Sequence, residues 1–190
     1  MRDHAVVTTR VRVAIGLLAS LVLVAGVASA QTDAEKARAL TRDRLALLLA
    51  TSGPKSGIEL SFHRAESNEF NFAATTTTNL KNAESLEIVI SVTANETIGF
   101  RVYPHFAGGY VNIDKVRNSL GLLRAMALYN HKNFMFWGAD ETGDIFSGYT
   151  VTLESGFPDK AIDVVLYSIR NLDQYLGQMR PMIDGSAPAR

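Results

Sequence analysis

Between Leu86 and Val102 the apolar side chains fall on alternate positions: Leu86, Ile88, Ile90 and Val92, then Ile98, Phe100 and Val102, with Asn95-Glu96 between the runs. A period of two buries one face only in an extended chain, so the stretch predicts two strands joined at a hairpin, with one face of the sheet wet. Ile58, Leu60 and Phe62 alternate in the same way, as do Phe70 and Phe72, with a turn over 65–68. Four strands in meander order result. The threonines Thr75 to Thr78 belong at a strand end or in a loop, and Pro104 ends the fourth strand or lies on an edge.

The flanks change period from two to 3.6. Thr32-Asp33-Ala34-Glu35 has capping-box spacing, and Ala37, Leu40, Leu45, Leu48 and Leu49 continue one apolar face until Gly53-Pro54, where proline stops a helix of about 18 to 20 residues. After Gly108-Gly109, the spacing of Ile113, Val116, Leu120, Leu123 and Ala127 predicts a second helix from about Asn112 to Tyr129. Leu122, Met126 and Leu128 widen its apolar surface, so the helix is expected to be covered on two sides. Phe134 and Phe136 resume strand character, the acidic segment from Asp140 to Asp144 supplies a turn, and Ile145, Tyr149, Val151 and Leu153 complete a second hairpin. Pro158, then Ile162, Val165, Leu166, Ile169, Leu172 and Leu176, predict a third helix that Pro181 ends. The class is α+β: an antiparallel sheet in the order helix, four strands, helix, two strands, helix. Leu48, Val116, Leu123, Val165 and Ile169 are the expected helix contacts in the core.

The first thirty residues read as an address. Arg2, Arg10 and Arg12 precede an apolar run from Val13 to Val27, and Ala28-Ser29-Ala30 offers the small residues at which a signal peptide is cleaved before Gln31. The run of about fifteen residues is short of the roughly twenty that span a bilayer. Expected boundaries are 1–30 for the signal peptide, 31–180 for one domain and 181–190 for a flexible tail. Of nineteen basic and nineteen acidic residues the leader carries three and one, leaving a mature chain with a formal charge of −2. That balance argues against nucleic acid as a partner, and no membrane insertion is expected after cleavage. An exported chain without cysteine fits a bacterial envelope, periplasmic or secreted.

Chemistry-bearing motifs are weak. His63, His105 and His131 are scattered and no thiolate exists, so no metal is expected. The carboxylates of Asp140, Glu141 and Asp144 lack the spacing of a calcium loop and read as a hairpin turn. Ser147 stands in no nucleophile-elbow context, and Gly108-Gly109 lacks the further glycines and lysine of a phosphate loop. No catalytic residue, enzyme activity or cofactor is expected. Side chains suited to binding concentrate in Met126, Tyr129, Asn130, Phe134 and Trp137. In a strand, Phe134 and Phe136 share one face while Met135 and Trp137 take the other, so one apolar face is either core or a docking surface.

The segment from Asn118 to Asn130, followed by Asn133-Phe134-Met135-Phe136-Trp137, the acidic turn at Gly143, Ile145 to Leu153 and a closing amphipathic helix, resembles the YbjN-like domain family, related in fold to type III secretion chaperones. In that family a helix ending in Asn precedes a strand, an Asp-Gly type turn, a strand and a long C-terminal helix, and Tyr129-Asn130 fits the helix end. The resemblance implies helices layered on an antiparallel sheet and a non-catalytic role in binding protein partners, often as a dimer. Type III chaperones work in the cytosol and are commonly acidic, whereas this chain carries an export signal and is nearly neutral. The expectation is therefore an exported adaptor, sensor or chaperone-like module with a protein partner or self-association as a homodimer. The alternative is a small apolar ligand held against Phe62, Phe70, Phe72 and Phe100.

Overall fold

A computed structural model describes residues 33–187. The expected signal segment with its cleavage site, the expected capping residue Thr32 and the last three residues lie outside that range. The chain divides into two compact units, Met1–Leu40 and Thr41–Arg190. Of the first, only a helical stretch over 33–40 is described.

Helix α1 covers 33–52 and gives way to a single 3-10 turn, Gly53–Lys55, in which Pro54 occupies an early position. Then follow β1 (His63–Ala65), β2 (Asn68–Thr76), β3 (Ser85–Val92), β4 (Thr97–Phe106) and the two-residue β5 (Gly109–Tyr110). Helix α2 (Ser119–Lys132) precedes the hairpin of β6 (Phe136–Ala139) and β7 (Ile145–Thr152), and α3 (Asp159–Ile169) and α4 (Leu172–Ile183) close the chain. The seven strands form one antiparallel sheet in the order β1-β2-β3-β4-β7-β6, with β5 folded against the end of β4. The class is α+β as expected, but the closing helix is two. Among the described residues no helix is long and apolar enough to cross a membrane.

Alternation holds where it is strongest. Leu86, Ile88, Ile90 and Val92 pair across to Pro104, Val102, Phe100 and Ile98 and are buried with them. Tyr149 and Val151 continue that face on β7, and Trp137 on β6 lies opposite Ser147. Against this face pack Leu45 and Leu49 of α1, Leu122 and Met126 of α2, Ile162, Val165, Leu166 and Ile169 of α3, and Leu172, Leu176 and Met179 of α4, in one cluster.

Several boundaries differ from the sequence reading. Ile58 and Leu60 are buried but lie before β1 in irregular chain; the Gly53 carbonyl accepts the Leu60 amide at 3.1 Å and ties this stretch to the 3-10 turn instead of a neighbouring strand. Pro104 does not end β4, which runs on to Phe106; β7 pairing stops at Val102, so the proline sits where one flank of the strand is free of it. The second helix starts at Ser119, not Asn112. The amides of Arg117 and Asn118 donate to the carbonyls of Ile183 and Met182, so this backbone serves the end of α4 instead of a helical turn. The third helix breaks at Arg170-Asn171, where the Asn171 amide turns back to the Ser168 carbonyl. Pro181 lies inside the last turn of α4, so residues 181–183 are helix and not tail. Leu123 is exposed and Leu122 takes the core position; Leu48 and Val116 are only partly buried.

Candidate functional site

The five residues singled out from the sequence meet where α2 runs into β6. Asn118 caps the helix, its Oδ1 accepting the Gly121 amide at 2.8 Å. On the inner side, Leu122 and Met126 are sealed in the core, and the Tyr129 ring packs 4.9 Å from Tyr175 while its hydroxyl donates to Gln178 of α4 at 3.0 Å. Burial raises the Tyr129 pKa above the ordinary tyrosine value, reinforced by the neighbouring Tyr175. Asn130 grips the backbone of the next strand: its Oδ1 accepts the Trp137 amide at 2.6 Å and its Nδ2 donates to the Trp137 carbonyl at 3.2 Å. Trp137 itself is 4% exposed.

These contacts bear on the alternatives, core or docking surface, that the sequence left open. Met126 and Trp137 are core side chains of the monomer, and Asn130 and Tyr129 fasten α2 to β6 and α4. Phe134 alone of the five presents its ring outward, in the bend before β6, with one edge on Tyr149 at 5.3 Å. What α2 does expose is its opposite side, where Leu120, Leu123 and Leu128 stand 62%, 44% and 65% accessible, with Ala127 between them and Arg124 beside them. Helical spacing at 100° per residue gathers these five onto one face, away from Leu122 and Met126. The broad apolar character of the segment had pointed to coverage on both sides. Among the described residues it is covered on one.

The alternative reading, a ligand held against Phe62, Phe70, Phe72 and Phe100, meets side chains that pack in or against the core. Phe72 and Phe100 are filled into the core, and Phe70 is part-buried with the Arg42 guanidinium 5.4 Å above its ring. A concavity lies on the other face of the sheet. There, side chains of opposite parity form a row of rings: Phe136 and Phe146 at 5.8 Å, Phe146 and Tyr103 at 5.7 Å, Tyr103 and Tyr110 at 5.6 Å, Tyr110 and His105 at 4.4 Å. At the Phe136 end the surface sinks into a hollow of about 530 Å³. Arg101 crosses it, its guanidinium 4.7 Å from the Phe146 ring and Nη1 3.4 Å from the Tyr103 hydroxyl. At the other end, Glu87 accepts the Tyr110 hydroxyl at 2.7 Å, which with partial burial pushes that tyrosine's pKa up to about 12. Arg101, Tyr103 and Phe146 were not picked out by sequence reasoning. Their signal was parity, since each alternates with a core residue on a strand whose buried face was already assigned.

A second hollow, of about 480 Å³, lies between the β4–β5 turn and the end of α4, but Glu84, Arg180 and Asp184 of its lining serve the fold. Arg180 pairs with Asp184 at 2.6 Å and stacks over Phe106, and Glu84 accepts the amides of Ala107 and Gly108, both at 2.8 Å. In the β6–β7 turn, burial opposes the charged form of Asp140, yet hydrogen bonds from the Thr142 hydroxyl and the amides of Asp144 and Thr142, helped by Tyr103, hold its carboxyl below the ordinary range. Among the described residues no group of His, Asp and Glu could hold a metal ion.

No family model matches the chain, and no curated protein matches it. Among solved structures it is similar to a chain in the crystal structure of the ExsC-ExsE complex, at 15% identity with a TM-score of 0.43, over 76% of this chain and 97% of that one.

Proposed function

We propose that the chain is an exported, non-catalytic protein-binding module of YbjN-like, chaperone-like character that receives an apolar segment of a partner protein, or of a second copy, on the outward face of α2. One observation carries this reading: a helix whose inner face is already complete, with Leu122 and Met126 buried, presents three further leucines to solvent on its outer face. Single exposed leucines are ordinary, whereas several on one helical face beside an arginine have the composition of an interface core. Export is supported by the order of basic, apolar and small residues before Gln31.

Leu123→Glu combined with Leu128→Glu places charge on the outward face without touching the buried one, so the fold should survive. Sedimentation of the mature wild type should show mass rising with concentration if a second copy is the partner. A photo-cross-linker at Leu120 should give a discrete adduct in the envelope fraction if another protein is, and either signal should vanish in the double variant. A wild type that stays monomeric and yields no adduct beyond that of a cross-linker at Lys81 would refute the reading. Material from the envelope should begin at Gln31.

A further inference from the structure

The hollow on the outer face of the sheet has the chemistry of a different site, independent of α2. Its shape follows from register. Gly148 on β7 lies between Arg101 on β4 and Phe136 on β6. With no side chain there, the Phe136 ring leans over the strand; a Cβ at Gly148 would stand 2.8 Å from that ring and 3.0 Å from the Phe100 carbonyl. Gly99 on β4 opens the floor further, for a Cβ built on it meets nothing within 4 Å. The result is a depression with aromatic walls, a small-residue floor, and Asn71 and Ser91 along the far side. Its volume falls in the range of small-molecule sites.

Arg101 is the charged side chain of this lining. Arg101, like Arg117, Arg124 and Arg170 and in contrast to Arg42, Arg44, Arg64 and Arg180, pairs with no carboxylate among the described residues, and it stands inside the hollow. Stacking over Phe146 holds its plane and leaves N–H edges for an acceptor. A planar fork of donors with no acid of its own matches a carboxylate bidentately, and the stacked, less hydrated guanidinium gives up little water to bind one. One cation beside an apolar wall suits one negative charge. Polyanions are disfavoured by Glu87, which lies opposite Tyr103 further along the same face, and by the ionised Asp140 near that tyrosine's hydroxyl.

We propose that this hollow binds a small monocarboxylate with an aromatic or aliphatic body, Arg101 taking the carboxylate and Phe136 and Phe146 the body. The probe is 3-phenylpropionate, with 3-phenylpropionamide as its uncharged counterpart, titrated against the isotope-labelled mature chain. The amide resonances of Gly99, Arg101 and Gly148 should shift together and saturate in roughly the millimolar range that a ligand of this size reaches. The neutral counterpart should bind at least about tenfold more weakly, and Arg101→Gln should cause a similar loss. Gly99→Leu should abolish the shifts at an unchanged melting temperature, because its side chain fills open space. Equal binding of acid and amide, wild-type affinity in Arg101→Gln or Gly99→Leu, or no saturable shift at these three amides would overturn the assignment.

Discussion

Asp173 is a carboxylate all but sealed from water, and it faces backbone instead of a cation. Its two oxygens accept the amides of Lys81, Asn82 and Ala83 at 2.8 to 3.2 Å, while the Asn82 side chain donates to one of them and to the Asp173 carbonyl. The connection between β2 and β3 is thereby clamped to the first turn of α4, where negative charge also favours the helix dipole. Because both oxygens accept amides, Asp173→Asn must turn an NH₂ group toward a donor whichever way it flips. Chemical denaturation should show a loss of about 2 to 3 kcal/mol from this isosteric change. Gly177 leaves room for the same clamp, since a Cβ there would approach the Asn82 Oδ1 to 2.5 Å; Gly177→Ala should destabilise, and its effect should be non-additive with that of Asp173→Asn. Tyr110 gives a pH-dependent counterpart. The unfolded chain releases a tyrosine proton near pH 10, whereas Glu87 and partial burial hold the Tyr110 proton to about 12. Stability from this group is complete below pH 10 and is lost as pH rises from there through 12. Glu87→Gln should bring the Tyr110 step, followed by tyrosinate absorbance, back toward pH 10.

Helix α2 shows how far periodicity reaches at the scale of elements. The apolar spacing from Ile113 through Val116 to Leu120 is helical, yet residues 112–118 are not: the Asn112 side chain accepts the Asp114 amide and donates to the Thr142 carbonyl and Asp144, fixing a turn against the β6–β7 hairpin. Thr142 and Asp144 come from 30 and 32 residues away, beyond any local pattern. The same blindness put the wrong leucine inward, because Leu122 and Leu123 are chemically identical and only the positions of β6 and α4 decide between them. Leu122→Ala should cost about 2 to 5 kcal/mol in urea melts, and Leu123→Ala less than about 0.5 kcal/mol. Equal costs would mean that the helix is rotated. Strand parity was more secure, since a slip by one residue would send Ile88, Ile90, Phe100 and Val102 all to the wet side together. Of the candidate site, the region was legible as an aromatic concentration after α2. The roles were not, for Asn130 and Trp137 become a structural clasp only once β6 has turned back along the helix.

Seen whole, the sheet is assembled from two sequence-local pieces. The meander β1 to β4 is built from neighbours in the chain, whereas β7 reaches β4 only after the excursion through α2 and pairs Phe100 with Tyr149. Joining them closes a long loop, a conformational cost that the hairpins of the meander do not carry. The β4–β7 ladder is therefore expected to be a seam between an early-forming half and a late-forming one. We expect truncations in the meander, such as Ile88→Val, mainly to slow refolding, and Val151→Ala on the seam mainly to speed unfolding, in stopped-flow denaturant series. The seam has a consequence for the folded protein as well. Phe136 and Phe146 sit on the late side of it, and α2 enters with them, so a partial opening along β4 would dissolve the α2 face and the hollow of the sheet in one event. Native-state hydrogen exchange should then find the amides of β6 and β7 opening as one unit at a lower free energy than those of β3. Occupying either surface would slow exchange at the other, coupling through shared stability two sites that have no residue in common.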